Sequence, residues 1–215
     1  SPSRRQRQMC IRDRDKTVDW FLEITKELAK ELNQNIKITL LKCSQSKKNI
    51  NKAFLNKNLS PLNNAPKISS KKIINCTNIV GLAGVEQITE AINTKADIII
   101  CGRSTDASLI ASLPIMKGVD EAIAWHAGKI GECGAFCTTN PSSGVILISF
   151  QKNGFFIKPV SNNTKVTPYT VSAHMVYENS NPFTLIEPGG HLDVKNAIYE
   201  KQKDGSVYVL SLIHI

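Results

Sequence analysis

The 215-residue sequence lacks any apolar run near the roughly 20 residues that a membrane-spanning helix needs, which excludes that class of protein. It has neither a Walker A loop nor a Gly-x-Gly-x-x-Gly motif, so no common nucleotide-binding loop is present. Cys133 and Cys137 form a CxxxC pair with no second matching pair, and structural zinc is therefore not expected. No signal peptide is recognisable, and we expect a cytoplasmic protein with reduced thiols.

The two ends of the sequence match a translated sequencing adapter. Arg4–Arg14 corresponds to one strand of a transposase-type adapter, and Leu210–Ile215 corresponds to the reverse complement of its inner end. A basic nucleic-acid-binding arm or a targeting peptide would require a chance match at both ends. We therefore assign residues 1–14 and 210–215 to the adapter and interpret the residues between them.

The positive charge of the chain depends strongly on these ends. The sequence has 27 Lys and Arg against 18 Asp and Glu, a formal net charge of +9. Setting aside the five arginines and one aspartate of the first fourteen residues leaves +5. The remaining lysines are scattered among asparagines and isoleucines, and aromatic residues make up only 6% of the chain. A nucleic-acid partner is therefore not expected, because such sites need clustered basic residues or a recognisable module.

Residues 15–143 show alternating helix and strand patterns. The apolar spacing predicts helices over 17–32, 47–58, 84–93, 105–113 and 120–129, strands over 36–41, 72–76 and 96–101, and a loop over 60–72. The helix over 105–113 is expected to stop at Pro114. Nearly continuous apolar strands that alternate with helices indicate a parallel sheet covered on both faces.

Residues 144–209 have a different character. Strands predicted over 145–150 and 155–160 flank Lys152–Gly154, which is typical of a hairpin. Thr167 is expected to cap a helix that begins at Pro168 and continues through Tyr177. The predicted fold class is therefore α/β, with a parallel sheet flanked by helices over 15–143 and an α+β continuation of the same domain, with antiparallel strands, over 144–209.

The first segment whose side chains could bind a ligand follows the apolar strand Ile98–Cys101. In parallel sheets, ligands bind at the carboxyl ends of the strands, and a helix N-terminus there offers free N–H groups. A guanidinium such as that of Arg103 can bind a carboxylate or phosphate with two hydrogen bonds. The alternative is that a hydroxyl only caps the helix while Arg103 pairs with Asp106. The candidate substrate-binding residues are Gly102, Arg103, Ser104, Thr105 and Asp106.

The second segment, Ala124–Asn140, contains most of the reactive side-chain types. His126 is a candidate general base, Glu132 a candidate acid or orienting group, and Cys133 or Cys137 a candidate nucleophile. The alternative is that His126 is a hydrogen-bonded helix residue and that the cysteines fill the core. We take His126, Glu132 and Cys133 as the predicted catalytic residues.

The third segment runs from His174 to the glycine-rich loop of Glu187–Asp193. His174 and Glu178 lie four residues apart and therefore share a helix face. Together with His191 they could ligate a metal, or they could form an ordinary surface pair; this spacing alone is weak evidence. We add His174 to the substrate-binding set and predict no metal site.

At these three segments the chain resembles the acyclic terpene utilisation (AtuA-type) family. The similarity spans about Ile79–Val209. The stretches that carry it are Ala96–Asp106, Trp125–Ala135, and the region from Ser172–Asn179 to Gly189–Gly190. The family also has an N-terminal segment with further Gly and Asp motifs, which the resemblance implies would precede Asp15.

The resemblance implies a bacterial, cytoplasmic protein in the catabolism of branched acyclic terpenoids, such as citronellol and geraniol, or of related acyl substrates. Our leading hypothesis is an enzyme of unknown reaction and cofactor whose ligand carries a carboxylate, phosphate or CoA-like anion held by Gly102, Arg103 and Ser104. In this hypothesis, Asp106 positions Arg103. The alternative is a non-catalytic ligand-binding or assembly subunit. A small anionic or acyl substrate and a homo-oligomer are the expected partners, without nucleic acid or membrane.

Overall fold

The computed structural model describes residues 15–62, 65–142, 144–176 and 181–211. The chain divides into two compact units. Unit 1 contains the described residues of Ser1–Leu82 and Thr94–Arg103, and unit 2 contains those of Ala83–Asn93 and Ser104–Ile215. Helices combine with a small parallel sheet and with antiparallel sheets, which confirms the predicted mixed α/β class.

The described residues of unit 1 form a parallel pair of strands and three helices. The parallel strands place Ile38 opposite Ile98 and Leu41 opposite Cys101. The helices and strands predicted over 17–32, 36–41, 47–58 and 96–101 are confirmed, with slightly different ends. The elements are α1 (Asp15–Glu31), β1 (Ile38–Leu41), α2 (Lys47–Leu55), α3 (Ser70–Asn75) and β2 (Ile98–Cys101).

The strand predicted over 72–76 is wrong, because these residues belong mainly to α3. The hydroxyl of Ser69 accepts a hydrogen bond from the backbone N–H of Lys72 at 3.3 Å, which caps the helix start. Ile73 is buried whereas Ile74 is 54% exposed. A short β-branched pair fits a strand or a single helical turn equally well, and here the cap selects the helix.

Unit 2 is built from helices, a four-stranded antiparallel sheet and a separate hairpin. The sheet has the order β3-β4-β8-β7, and the predicted hairpin around Lys152–Gly154 is confirmed. The helices are α4 (Val85–Asn93), α5 (Asp106–Met116), α6 (Glu121–Gly131), a 3-10 helix (Gly134–Cys137) and α7 (Pro168–His174). The strands are β3 (Ile146–Gln151), β4 (Gly154–Pro159), β5 (Thr184–Glu187), β6 (Gly190–Asp193), β7 (Ile198–Lys201) and β8 (Val207–Leu210).

The predicted end of α5 is wrong, because the helix continues through Pro114 to Met116. Proline lacks one backbone donor, and in the last turn of a helix that loss is local. The backbone N–H of Lys117 still donates to the carbonyl of Leu113 at 3.1 Å and closes the final turn.

The predicted start of α7 is confirmed. Thr167 and Thr170 form a reciprocal capping arrangement, and Pro168 occupies the first turn. Tyr177, where this helix was expected to end, lies outside the described residues.

Two helices of unit 2 pack with their backbones in contact. A side chain at Gly128 on α6 would bring its Cβ within 2.5 Å of the carbonyl oxygen of Ala107 on α5. Only glycine allows this approach, because any Cβ would force the helices apart. The first turn of α5 therefore lies against the last turn of α6, and this contact brings together polar residues from both helix ends.

In the described part of the chain, every helix is too short or too polar to cross a membrane. The cysteines described there are reduced and form no disulfide: Cys43, Cys76, Cys101, Cys133 and Cys137.

Candidate functional site

Gly102 and Arg103 follow β2 in unit 1. The N–H of Gly102 donates to the carbonyl of Leu41 at 2.8 Å, and a side chain at Gly102 would bring its Cβ to 3.3 Å from the sulfur of Cys43. Burial raises the pKa of the Cys43 thiol, and the backbone of Arg103 forms a hydrogen bond with that thiol. Gly102 thus allows tight packing against the chain that follows β1, while Arg103 is exposed.

Ser104, Thr105 and Asp106 form the start of α5 in unit 2. The hydroxyl of Thr105 caps the helix by accepting from the N–H of Ser108 at 3.3 Å, so the capping role is present. Ser104 is 7% exposed, and its hydroxyl oxygen has no hydrogen-bond partner among the described residues. The capped end therefore contains one buried hydroxyl that no described residue pairs with.

His126 lies in the core of unit 2 with no exposed surface. Its Nε2 is 3.2 Å from the hydroxyl of Tyr199, its Nδ1 is 2.9 Å from the hydroxyl of Ser211, and its ring meets Phe155 edge-on. Burial lowers the pKa of His126 to about 3, so the imidazole is neutral at neutral pH. The structure thus places His126 in a closed hydrogen-bonded environment.

Ser211 lies within the 210–215 segment that the sequence analysis assigns to the adapter. Tyr199 lies outside that segment, and it supplies the second hydrogen bond to His126. Burial also raises the pKa of the Tyr199 phenol, which keeps it protonated. Tyr199 is therefore the hydrogen-bond partner of His126 that lies outside the adapter segment.

The two cysteines after α6 have different environments. Cys137 is fully buried, and its sulfur lies 3.5 Å from the carbonyl oxygen of Ile130. Burial raises the pKa of the Cys137 thiol to about 12, with the nearby Cys133 adding to the shift. A thiol with such a pKa is a poor nucleophile near neutral pH. Cys133 is partly buried directly before the 3-10 helix.

Glu132 and His174 meet around Lys129 at the end of α6. The Lys129 ammonium and the Glu132 carboxylate lie 2.5 Å apart, and each side chain is only 14% exposed. The ring of His174, which is 5% exposed, forms a hydrogen bond with the backbone of Lys129. Burial lowers the pKa of His174, and the charge of Lys129 acts in the same direction. Two of the predicted site residues are therefore brought together by a lysine.

Glu187 lies beside these groups, at the end of β5. Burial raises the pKa of its carboxyl, and the charges of Glu132 and Asp106 act in the same direction. The charge of Lys129 and a hydrogen bond with Thr105 oppose the shift. One oxygen, Oε2 of Glu187, is buried without a hydrogen-bond partner among the described residues. We call these residues the polar cluster: Thr105, Asp106, Lys129, Glu132, His174 and Glu187.

The turn between β5 and β6 fixes the position of Glu187. Glu187 pairs with Gly190, and the two residues between them are Pro188 and Gly189. Gly189 has a φ of +92°, a backbone conformation that side chains other than glycine rarely adopt. Proline followed by such a glycine is typical of a type II turn. The sequence signal for Glu187 was thus an acidic residue between an apolar strand and a Pro-Gly turn.

A cavity of about 200 Å³ opens beside Glu187, and we call it the Glu187 cavity. It is smaller than the roughly 300–1,000 Å³ of pockets for drug-sized ligands, so a small molecule or one part of a larger one fits. Its apolar lining residues are Val85, Ile115, Trp125, Pro188 and Leu192, and its ionisable lining residues are Glu86, Glu121, Glu187 and His191.

No group of three His, Cys, Asp or Glu residues within the described ranges is arranged to hold a metal ion. Glu178, which the sequence offered as a ligand beside His174 and His191, lies outside those ranges. His174 instead belongs to the polar cluster, whereas His191 lines the Glu187 cavity.

Comparison with known families gives a match over most of the chain. The model of the acyclic terpene utilisation family protein AtuA matches residues 19–212. The chain belongs to the AtuA family. The match confirms the resemblance found at the three sequence segments, and it begins well before Ile79, so it includes most of α1 and all of β1 of this AtuA-family chain. No curated protein and no solved structure matches the chain.

The matched range contains the predicted and the newly found site residues of this AtuA-family chain. Thr105, Asp106, Glu132 and His174 of the polar cluster are predicted from the sequence, whereas the roles of Lys129 and Glu187 there are not. The cavity is not predictable either, because no local motif marks a space lined by residues that are distant in sequence.

Proposed function

We propose that this AtuA-family chain is a cytoplasmic catabolic enzyme that transfers protons on a small, branched, acyclic terpenoid or a related acyl molecule. The observation that carries the proposal is Glu187: its carboxyl has a raised pKa, one of its oxygens is buried without a partner among the described residues, and it lines a cavity with apolar walls. In this proposal Glu187 is the acid or base.

A carboxyl with a raised pKa suits this role. Proton transfer is most efficient when the pKa of the acid or base is near the working pH, and burial is a common way to shift a carboxyl in that direction. Perturbed titratable groups in clefts are also more common at functional sites than elsewhere. Glu187 lines the cavity, and one oxygen of its carboxyl has no hydrogen-bond partner among the described residues.

Lys129 and Glu132 support this arrangement electrostatically. The ammonium of Lys129 opposes the rise in the pKa of Glu187, while the carboxylate of Glu132 reinforces it. Because Glu132 also holds Lys129 in an ion pair, the two partners together set how readily Glu187 ionises. We therefore assign Glu132 a positioning role and not direct contact with the substrate.

The cavity walls suit a hydrocarbon chain. Trp125 is 5% exposed and Leu192 is 2% exposed, so both belong to the core and offer firm apolar contact where they line the cavity. Burial of methyl and methylene groups against such walls contributes about 0.8 kcal/mol each. A short branched chain is therefore the kind of ligand that the cavity favours.

The residues predicted from sequence as catalytic or anion-binding take different places in this proposal. His126 has a packing role, because it has no exposed surface and its Nε2 is engaged by the hydroxyl of Tyr199 in the core. Cys133 stays a candidate nucleophile. The exposed Arg103 stays a candidate for binding the carboxylate, phosphate or CoA-like part of a substrate, and unchanged binding in Arg103→Ala would remove that hypothesis.

The test is solvent deuterium exchange. The purified protein in D₂O is incubated with citronellol, geraniol, the corresponding acids and their CoA thioesters, and mass spectrometry measures deuterium at carbon and any new product. We expect incorporation or conversion with at least one compound, slowed about 10²- to 10⁴-fold in Glu187→Gln.

Glu200→Gln is the matched control, because Glu200 is an exposed glutamate of β7 outside the polar cluster and the cavity lining. Its rate should equal that of the wild type. Equal rates for Glu187→Gln and wild type would reject the acid or base role. Ligand binding without exchange or conversion would favour the alternative of a non-catalytic binding or assembly subunit.

A further inference from the structure

The ionisable lining of the Glu187 cavity is strongly biased toward one sign of charge. Glu86, Glu121 and Glu187 contribute three carboxyl groups, and the remaining ionisable lining residue is His191. Neither lysine nor arginine occurs among the described lining residues. A carboxylate accepts hydrogen bonds and repels a second negative charge, so this lining favours a donor and disfavours an anion.

The same cavity offers an aromatic wall. Trp125 is the only aromatic residue among the described lining residues, and it lies on α6 together with Glu121. An indole face attracts organic cations, and its apolar surface accepts an alkyl chain equally well. Carboxylates beside an indole are therefore suited to a ligand with an alkyl chain and a cationic or neutral donor group.

The head group of a ligand decides whether it can pair with carboxyl groups. A hydroxyl or an ammonium can donate a hydrogen bond to the carboxyl oxygens of the lining residues, whereas a ligand carboxylate has no proton to donate at pH 8.

We propose that the Glu187 cavity selects alkyl ligands whose polar end donates hydrogen bonds and carries no negative charge, and that it rejects carboxylates of the same chain length. The inference rests on the proposed function, since it concerns the same cavity, and it narrows the substrate class there to alcohols or amines. An anionic part of a substrate would have to bind outside this cavity.

The test uses one chain length with three head groups: 1-octylamine, 1-octanol and octanoate. The sequence has two tryptophans, and Trp20 on α1 is 55% exposed, so Trp20→Phe leaves Trp125 as the sole tryptophan reporter. Each compound is titrated into this variant at pH 8, and Trp125 fluorescence gives the Kd. We expect octylamine and octanol to bind, and octanoate to bind about 10-fold more weakly than octylamine or not at all.

Glutamine variants test which carboxyl groups cause the preference for octylamine over octanoate. In the Trp20→Phe background, Glu86→Gln and Glu121→Gln should each reduce the preference for octylamine over octanoate about 2- to 5-fold. Glu90→Gln is the matched control, because Glu90 is exposed on the same helix as Glu86 but does not line the cavity. The preference should also shrink as salt is raised, since exposed charges are screened.

Two results would overturn the inference. If octanoate binds as tightly as octylamine and octanol, the charge selection is wrong, while the acid or base role of Glu187 is untouched and is decided by the deuterium exchange. If none of the three compounds changes Trp125 fluorescence or binds by calorimetry, the cavity does not take an alkyl ligand, and the inference fails whatever the exchange experiment shows.

Discussion

Two titratable side chains of unit 2, His126 and Glu187, are both withdrawn from solvent but in different ways. His126 has no exposed surface, and the hydroxyl of Tyr199 pairs with its Nε2. Glu187 has one buried oxygen without a partner among the described residues and faces a cavity. In both, burial shifts the pKa so that the neutral form is favoured: the pKa of His126 is lowered and that of Glu187 is raised.

The difference lies in what remains for a ligand. A buried polar group that is hydrogen-bonded is stable and inert. A buried polar atom without a hydrogen-bond partner destabilises the protein unless something binds it. The neutral imidazole of His126 therefore contributes to the core. The carboxyl of Glu187 keeps a position for a proton or a hydrogen-bond donor. Residue type alone would have ranked them in the opposite order, because histidine is the more common acid or base.

The largest effect should come from removing the buried imidazole. His126→Ala leaves a cavity and takes the hydrogen-bond partner from Tyr199, so we expect the free energy of unfolding to fall by about 3–5 kcal/mol. Glu187→Ala, at a partly exposed position, should cost less than about 1 kcal/mol. Urea unfolding followed by circular dichroism measures both. Equal losses in the free energy of unfolding for the two variants would contradict the difference drawn between His126 and Glu187.

Lowering the pH should destabilise the core around His126. Burial lowers the pKa of His126 from 6.5 to about 3, so the unfolded chain takes up the proton first. The contribution of His126 to stability is then complete above pH 6.5 and declines as the pH falls toward 3, with about 2 kcal/mol lost by pH 5. The lowered pKa of His174 adds to this decline.

Urea unfolding at pH 8, 6 and 5 measures that decline. His126→Gln stays neutral over this range and can keep a hydrogen bond, so its stability should depend less on pH than that of the wild type. The same pH dependence in both proteins would show that groups other than His126 control acid stability.

The smallest effect should be a gain in stability in Glu187→Gln. Because the pKa of Glu187 is raised above 4.5 in the folded protein, the unfolded chain ionises first and stability declines as the pH rises above 4.5. Glutamine removes this cost, so the variant should be closest to the wild type near pH 4 and more stable than the wild type at pH 8. A loss of stability at pH 8 would mean that the ionised carboxylate is well satisfied.

The secondary structure was largely predictable where a local pattern was strong. The helix of α1, the strands β1 and β2, and the hairpin of β3 and β4 follow from apolar spacing and turn residues. The secondary-structure predictions were wrong where two local preferences competed. The cap by Ser69 turned 72–76 into a helix, and the position of Pro114 in a last turn let α5 continue.

The candidate site was only partly predictable. Glu132 and His174 were selected from sequence, and the structure brings both to Lys129. Glu187 was seen only as part of a loop, since its environment depends on residues 55 to 82 positions earlier in the chain, such as Glu132 and Thr105. The predicted roles of Arg103 and Cys133 stay predictions.

Local spacing and motifs were enough to predict the family, the mixed α/β class, and the three segments that hold the polar side chains, because these features depend on neighbours along the chain. Which of those side chains are enclosed in the core and which line a cavity depends on tertiary packing. The contact at Gly128 and the turn at Gly189 set the surroundings of Lys129 and Glu187, and the core sets those of His126. Burial and the number of hydrogen-bond partners, which determine a pKa, depend on residues far apart in sequence.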